Sequence, residues 1–75
     1  MKYTYSDLVE DLELGQEIEF KYSGDRYSIS ANISGWYLTK YGEVEYQSFK
    51  DIDDLLQNAR INSMSLKDIW NETTF

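Results

Sequence analysis

The chain has 75 residues, a formal net charge of −7, and no cysteine, histidine or proline. A chain of this length forms one domain, residues 1–75, and buries only about 60% of its unfolded surface, which leaves little room for a deep substrate cavity. The missing cysteine excludes disulfides and thiolate metal sites, and the acidic balance argues against direct binding to nucleic acid or to an anionic membrane. The aromatic content of 16% indicates a folded chain.

The predicted location is the cytoplasm. No apolar run reaches the ~18 residues that span a membrane. The first five residues lack the apolar segment of a signal peptide.

The first predicted element is a helix over residues 5–14. Thr4 can cap its start with Asp7 three residues later, and Gly15 can end it. The apolar residues recur at the spacing of one helical face: Tyr5, Leu8, Val9 and Leu12.

Two runs of alternating apolar residues, 17–22 and 26–33, predict an antiparallel hairpin. If Gly24-Asp25 is its two-residue loop, apolar residues meet apolar residues throughout. The predicted pairs are Tyr22 with Tyr27, Phe20 with Ile29, and Ile18 with Ala31.

A second hairpin is predicted with Ser34-Gly35 as its loop, so that Ile33 opposes Trp36 and Ala31 opposes Leu38. Val44 and Tyr46 could add a short fourth strand at the edge, a point that the sequence leaves open. The outer face of this sheet would carry Ser28, Ser30, Asn32, Tyr37, Thr39 and Tyr41.

Two helices follow, over residues 51–60 and 66–71. Acids fill the first turn of the former, and Ser65 with Asp68 can cap the latter. The sequence therefore predicts an α+β fold, an antiparallel three- to four-stranded meander sheet packed against an N-terminal helix and two C-terminal helices.

No catalytic or cofactor-binding group is predicted. Nucleophilic catalysis normally needs a neighbouring base, and without histidine or cysteine only lysine or carboxylates could serve. Asp51-Ile52-Asp53-Asp54 is the best match to a metal site, because hard cations bind clustered carboxylates. Its acids are better explained as first-turn residues that the helix dipole stabilises, so no metal site is predicted.

The candidate protein-binding residues belong to two acidic segments and one aromatic strand. Residues 1–20 hold six acids and one lysine, and residues 41–54 hold five acids and one lysine. Tyrosines on an outer sheet face offer rigid contact area with a hydroxyl, although a helix could cover that face or the rings could simply pair with each other. The candidates are Asp7, Glu10, Asp11, Glu17, Glu19, Tyr37, Tyr41, Glu43, Glu45, Asp51, Asp53 and Asp54.

Four stretches carry a resemblance to small acidic proteins of bacteriophages and mobile elements of Gram-positive bacteria. They are IEFKYSGDRYSIS, GWYLTKYG, SFKDIDDLLQNARI and SLKDIW. The resemblance runs from Gly15 to about Trp70 and supplies no catalytic residues. It implies a protein that acts by binding and blocking another protein.

The first functional hypothesis is a non-catalytic protein-binding module whose partner is a host or phage protein with a basic surface. Its sharper form is an inhibitor of the anti-CRISPR or anti-restriction style, in which the two acidic segments form one face toward a nucleic-acid enzyme. The alternative is a small structural or assembly protein whose acidity serves solubility. Either protein could be a monomer or a dimer formed through a sheet edge.

Overall fold

A computed structural model describes residues 3–74 of the chain. Its elements, in order, are α1 (Tyr5–Glu13), β1 (Ile18–Tyr22), β2 (Asp25–Asn32), β3 (Gly35–Lys40), β4 (Tyr46–Phe49), α2 (Ile52–Asn58), α3 (Leu66–Ile69) and a 3₁₀ helix (Trp70–Glu72). The four strands form one antiparallel sheet in the order β1-β2-β3-β4. The predicted α+β fold is confirmed, and the fourth strand is present.

The helix boundaries follow the capping residues that the sequence predicted. Thr4 and Asp7 form a capping box at the start of α1, and Ser65 and Asp68 form one at the start of α3. After α1, the Gln16 amide donates to the Asp11 carbonyl and the Gly15 amide to that of Leu12, the bonds of a Schellman motif. These bonds satisfy backbone groups that a helix end otherwise leaves to water.

The core lies on one face of the sheet, between the strands and the helices. The stripe of α1 buries Leu8 and Leu12 completely, and Trp70 packs its ring 5.0 Å from that of Phe20. The buried residues are Leu8, Leu12, Phe20, Tyr27, Ile29, Leu38, Phe49, Leu55, Ala59, Ile61, Leu66, Ile69 and Trp70.

The predicted loop of the first hairpin is wrong by one position. The loop is Ser23-Gly24, which pairs Tyr22 with Asp25 and shifts every cross-strand pair by two residues. Ser23 and Gly24 have φ values of 53° and 84°, as a type I′ turn requires at both central positions. Apolar residues still meet each other, as in Phe20 with Tyr27 and Ile18 with Ile29, because a shift of two preserves the faces.

The second hairpin shows the same displacement. Its loop is Ile33-Ser34, so Ile33 opposes nothing and is fully exposed, and Trp36 faces Ala31. The Ser34 amide donates to the Asn32 side chain at 2.7 Å, a local bond that favours the turn here. The fourth strand begins at Tyr46, and Val44 lies outside it in an exposed loop.

Candidate protein-binding surface

The sheet face opposite the core, here called the open face, carries no buried side chain among residues 3–74. No described helix covers it, which excludes one alternative explanation of its tyrosines. Charged residues lie on its β1 side, and hydroxyl and aromatic residues fill the rest. Its side chains are Glu19 and Lys21 from β1, Arg26, Ser28, Ser30 and Asn32 from β2, Tyr37 and Thr39 from β3, and Tyr46 and Ser48 from β4.

Two tyrosines pair diagonally across β3 and β4 on the open face. The ring centroids of Tyr37 and Tyr46 are 5.4 Å apart and the planes are inclined by 73°, an edge-to-face contact. Tyr37 is half-buried, whereas Tyr46 keeps 61% of its surface exposed. The pairing alternative is therefore correct for these two rings, and the pair still presents aromatic surface to solvent.

A shallow depression of about 300 Å³ lies beside this tyrosine pair. It could accept one side chain of a partner, since anchors of protein interfaces occupy such hollows next to aromatic residues. The residues that line it are Ser34, Tyr37, Tyr46, Ser48, Phe49 and Lys50.

Tyr41, the other tyrosine predicted for this face, lies near β1 and β2 and away from the pair. Its amide donates to the Arg26 carbonyl at 2.8 Å, which extends the β2–β3 ladder by one residue. The Arg26 guanidinium carbon is 5.6 Å from the centre of the Tyr41 ring, a cation–π contact. The cation is thus held against its own chain at this corner.

Asp11 of α1 is connected to β1 through two aromatic residues, Tyr3 and Trp70. The Tyr3 hydroxyl donates to the Asp11 carboxylate, the Tyr3 ring lies 6.2 Å from that of Trp70, and Trp70 contacts Phe20 of β1. Burial raises the pKa of the Tyr3 hydroxyl, and the bond to Asp11 raises it further. Hydrogen bonds from the amide and hydroxyl of Thr4 lower the pKa of Asp7. Asp7 and Asp11 therefore both stabilise the structure, whereas Glu10 is exposed.

The acids of the two segments meet the sheet at different strands, although Glu43 approaches β2 through Lys40, which lies 3.9 Å from Glu43 and 3.5 Å from Asp25. Glu17 and Glu19 belong to β1 and the turn before it, whereas Glu43 and Glu45 lie in the loop between β3 and β4. Two strands separate β1 from β4, a distance of about 14 Å across the sheet. Besides Arg26 and Asn32, the open-face side chains of β2 and β3 are Ser, Thr and Tyr, so no acid lies on the open face of these two central strands.

The acids at the start of α2 act mainly as caps. The Asp51 side chain accepts from the Asp54 amide, and the Asp54 carboxylate accepts from the Lys50 amide at 3.0 Å and from the Asn58 side chain. These bonds, led by the one from Lys50, lower the pKa of Asp54. Asp53 is exposed, and within residues 3–74 no group of three acids is arranged to hold a metal ion.

An open cleft of about 350 Å³ lies on the other side of β4, under the turn at residues 60–62. Its cations already have partners: Lys40 lies 3.5 Å from Asp25 and 3.9 Å from Glu43, and the Arg60 guanidinium donates to the carbonyls of Gln57 and Ala59. Both cations of the cleft are therefore already in contact with acceptors of the chain itself.

Sequence reasoning missed one feature, the backbone along the outer edge of β4. On the core face of the sheet, the Gln47 side chain exchanges two hydrogen bonds with the Arg60 backbone, at 2.7 and 3.0 Å. These bonds fix β4 to the segment after α2. The amides and carbonyls of Tyr46 and Ser48 form no hydrogen bond to any other described residue on the outer side. A period-two pattern shows that a strand exists but not which backbone groups it leaves unpaired.

None of the helices within residues 3–74 has both the length and the apolar character to cross a membrane. Comparisons of the chain with protein-family models, with curated proteins and with solved structures give no match.

Proposed function

We propose that the protein is a non-catalytic protein-binding module that recognises a partner with a basic surface through the β4 side of its open face. The observation that carries this proposal is the uncovered face itself, where Tyr37 and Tyr46 pair beside a side-chain-sized depression. Tyrosine gives contact area at a low cost in conformational entropy, and the neighbouring hydroxyls give adaptable hydrogen bonds.

The charge around this surface supports a basic partner. Glu43, Glu45 and Asp53 are exposed in the segments that flank β4, and Lys50 is the one cation within residues 41–54. Acids around an interface speed the encounter with a basic protein and penalise acidic competitors. We do not extend the proposal to a DNA-like acidic face, because no acid lies on the open face of β2 and β3.

The test is site-specific photo-crosslinking at Tyr37, with Leu14 as the matched control. Leu14 is 68% exposed and follows α1, away from the open face. A photoreactive phenylalanine analogue at position 37 should give a defined adduct with a protein partner, and the adduct should weaken in about 0.5 M salt because charge contacts are screened. Adducts of equal yield from position 14 would contradict the proposal.

The assembly-protein alternative is favoured by a different observation. The acids are spread over α1, β1, the β3–β4 loop and α2, as expected if they serve solubility, and β4 leaves backbone groups unpaired. This function predicts a concentration-dependent dimer, which light scattering would detect. A monomer across the micromolar range would leave the binding module as the better account.

A further inference from the structure

We propose that an extended, lysine- or arginine-containing segment of a partner protein adds to the sheet as a fifth strand along the free edge of β4. This inference rests on the proposed function and names the form that its partner takes. Addition of a strand at a sheet edge is a general mode of peptide recognition, in which main-chain hydrogen bonds supply affinity and alternate side chains supply specificity.

The hydrogen-bond alternation of the sheet shows which groups are available. Because the Tyr41 amide bonds to Arg26, the odd-numbered residues of β3 bond to β2 and its even-numbered residues bond to β4. The register then pairs Leu38 with Gln47, so the backbone amide and carbonyl of Gln47 bond to β3. The backbone groups of its neighbours face the outer edge. The amide and carbonyl groups of Tyr46 and Ser48 therefore point away from the sheet.

The unpaired part of the β4 edge ends before Lys50. Lys50 continues the outward alternation, and its amide already donates to the Asp54 carboxylate at 3.0 Å. The receptive edge thus covers Tyr46 to Ser48, which matches a short segment of an added strand.

The opposite edge of the sheet, along β1, already pairs with another part of the chain. Lys21 of β1 exchanges two backbone hydrogen bonds with Thr74, at 2.8 and 2.9 Å, as an isolated antiparallel bridge. A strand that added to β1 would have to displace this contact. Of the two edges, β4 is therefore the receptive one.

Charge decides between a foreign strand and a second copy of this chain. Residues 41–54 carry five acids and one lysine, so two β4 edges side by side would bring two such segments together. Like charges across neighbouring strands are destabilising, whereas lysine or arginine in the added strand would be attracted to the exposed carboxylates of Glu45 and Asp53, which flank β4. The occupant is accordingly a basic segment.

The depression beside the tyrosine pair gives this segment an anchor. Ser48 lies both at the free edge and in the lining of that depression. Side chains alternate along an added strand, so one would face the depression while the next would face the Gln47 side of β4. The free edge and the open face thus form one continuous surface.

The experiment removes one outward donor without removing a bond of the sheet. Ser48→Pro deletes an amide hydrogen that faces solvent, a position at which an edge strand tolerates proline, and Ser48→Thr is the control that retains it. The probe is a short blocked peptide that alternates lysine with threonine and valine. Its controls are a glutamate-for-lysine version and a version with alternate backbone amides methylated, which keeps the charge but cannot pair as a strand. Binding is measured by NMR titration, with hydrogen exchange of the Tyr46 and Ser48 amides.

The basic peptide should protect both amides from exchange, and Ser48→Pro should weaken its binding about tenfold while Ser48→Thr leaves it unchanged. Equal binding of the methylated peptide, or no added protection in the unsubstituted protein, would overturn the inference even if Ser48→Pro failed to fold. Protection that instead rises with protein concentration would assign the edge to a second copy and also overturn it. If Ser48→Pro forms the position-37 crosslink at the same partner concentration as the unsubstituted protein, the proposed function stands and the strand-addition inference fails.

Discussion

Gly35 shows how one residue sets the position of a neighbouring strand. A Cβ at this position would lie 2.2 Å from the Phe49 carbonyl oxygen, and φ is 147°, a value that side chains other than hydrogen rarely permit. The absence of a side chain therefore allows β4 to approach β3 at the end where α2 begins.

Gly35→Ala should destabilise the fold by about 1–3 kcal/mol, because the added methyl must push β4 away. Urea denaturation measures the loss. Gly42→Ala is the matched control, since Gly42 also has a positive φ, 91°, but meets nothing within 4 Å. Equal losses for the two variants would show that backbone strain alone matters and that the contact with Phe49 does not.

Asp54 links one side chain to the pH dependence of the whole fold. Its pKa is lowered in the folded state by the bonds from Lys50 and Asn58. Between that pKa and the ordinary value of about 3.9, the unfolded chain binds more protons than the folded one, so stability rises with pH. The contribution is complete above the ordinary value and is lost as the pH falls through the folded pKa.

We therefore expect the melting temperature to fall on acidification below about pH 4, with a shallower slope in Asp54→Asn. Asn58→Ala removes only the side-chain donor and should give an intermediate slope. Thermal melts between about pH 2 and pH 7 provide the measurement. An unchanged slope in Asp54→Asn would assign the acid sensitivity to other carboxylates such as Asp7.

At the scale of elements, periodicity predicted which segments form helices and strands. The stripes Leu8/Leu12 and Leu55/Ala59 are buried as expected, and the capping residues Thr4 and Ser65 begin their helices. These features are local, so the sequence carries them directly.

Register could not be predicted in the same way. A pattern of period two is unchanged by a shift of two, so pairing apolar residues cannot distinguish the predicted loop Gly24-Asp25 from the actual loop Ser23-Gly24. Turn chemistry makes that choice, and serine is an unusual residue at a φ of 53°. The candidate surface was predicted only in part: Tyr37 lies on it, whereas the free edge of β4 depends on hydrogen-bond alternation that no side-chain pattern records.

Ser23→Asn should stabilise the first hairpin, because asparagine tolerates the left-handed conformation better than serine does. The left-handed conformation costs most residues about 1–2 kcal/mol, so we expect the free energy of unfolding to increase by about 0.5–1 kcal/mol. Differential scanning calorimetry would detect this increase. Ser34→Asn is the control, since Ser34 does not have a positive φ. A gain of the same size at Ser34 would show that the turn geometry is not the cause.

At the scale of the whole molecule, repulsion among carboxylates opposes the compact fold. Fourteen acids face seven bases in the chain, and within residues 3–74 the ion pairs are those of Lys40 with Asp25 and Glu43. Screening therefore removes more repulsion than attraction.

The melting temperature at neutral pH should consequently rise as sodium chloride increases from about 10 mM to about 150 mM. The same titration in Glu45→Gln, which changes the net charge from −7 to about −6 and leaves both ion pairs of Lys40 intact, should show a smaller rise. A melting temperature that falls with salt would mean that attractive pairs dominate.

The bridge between Lys21 and Thr74 has a consequence for assembly. Filaments of stacked sheets grow because each added unit exposes a fresh edge for the next. At Lys21 the β1 edge is occupied by the chain's own backbone, so a neighbour that pairs along the whole of β1 requires that Thr74 first detach.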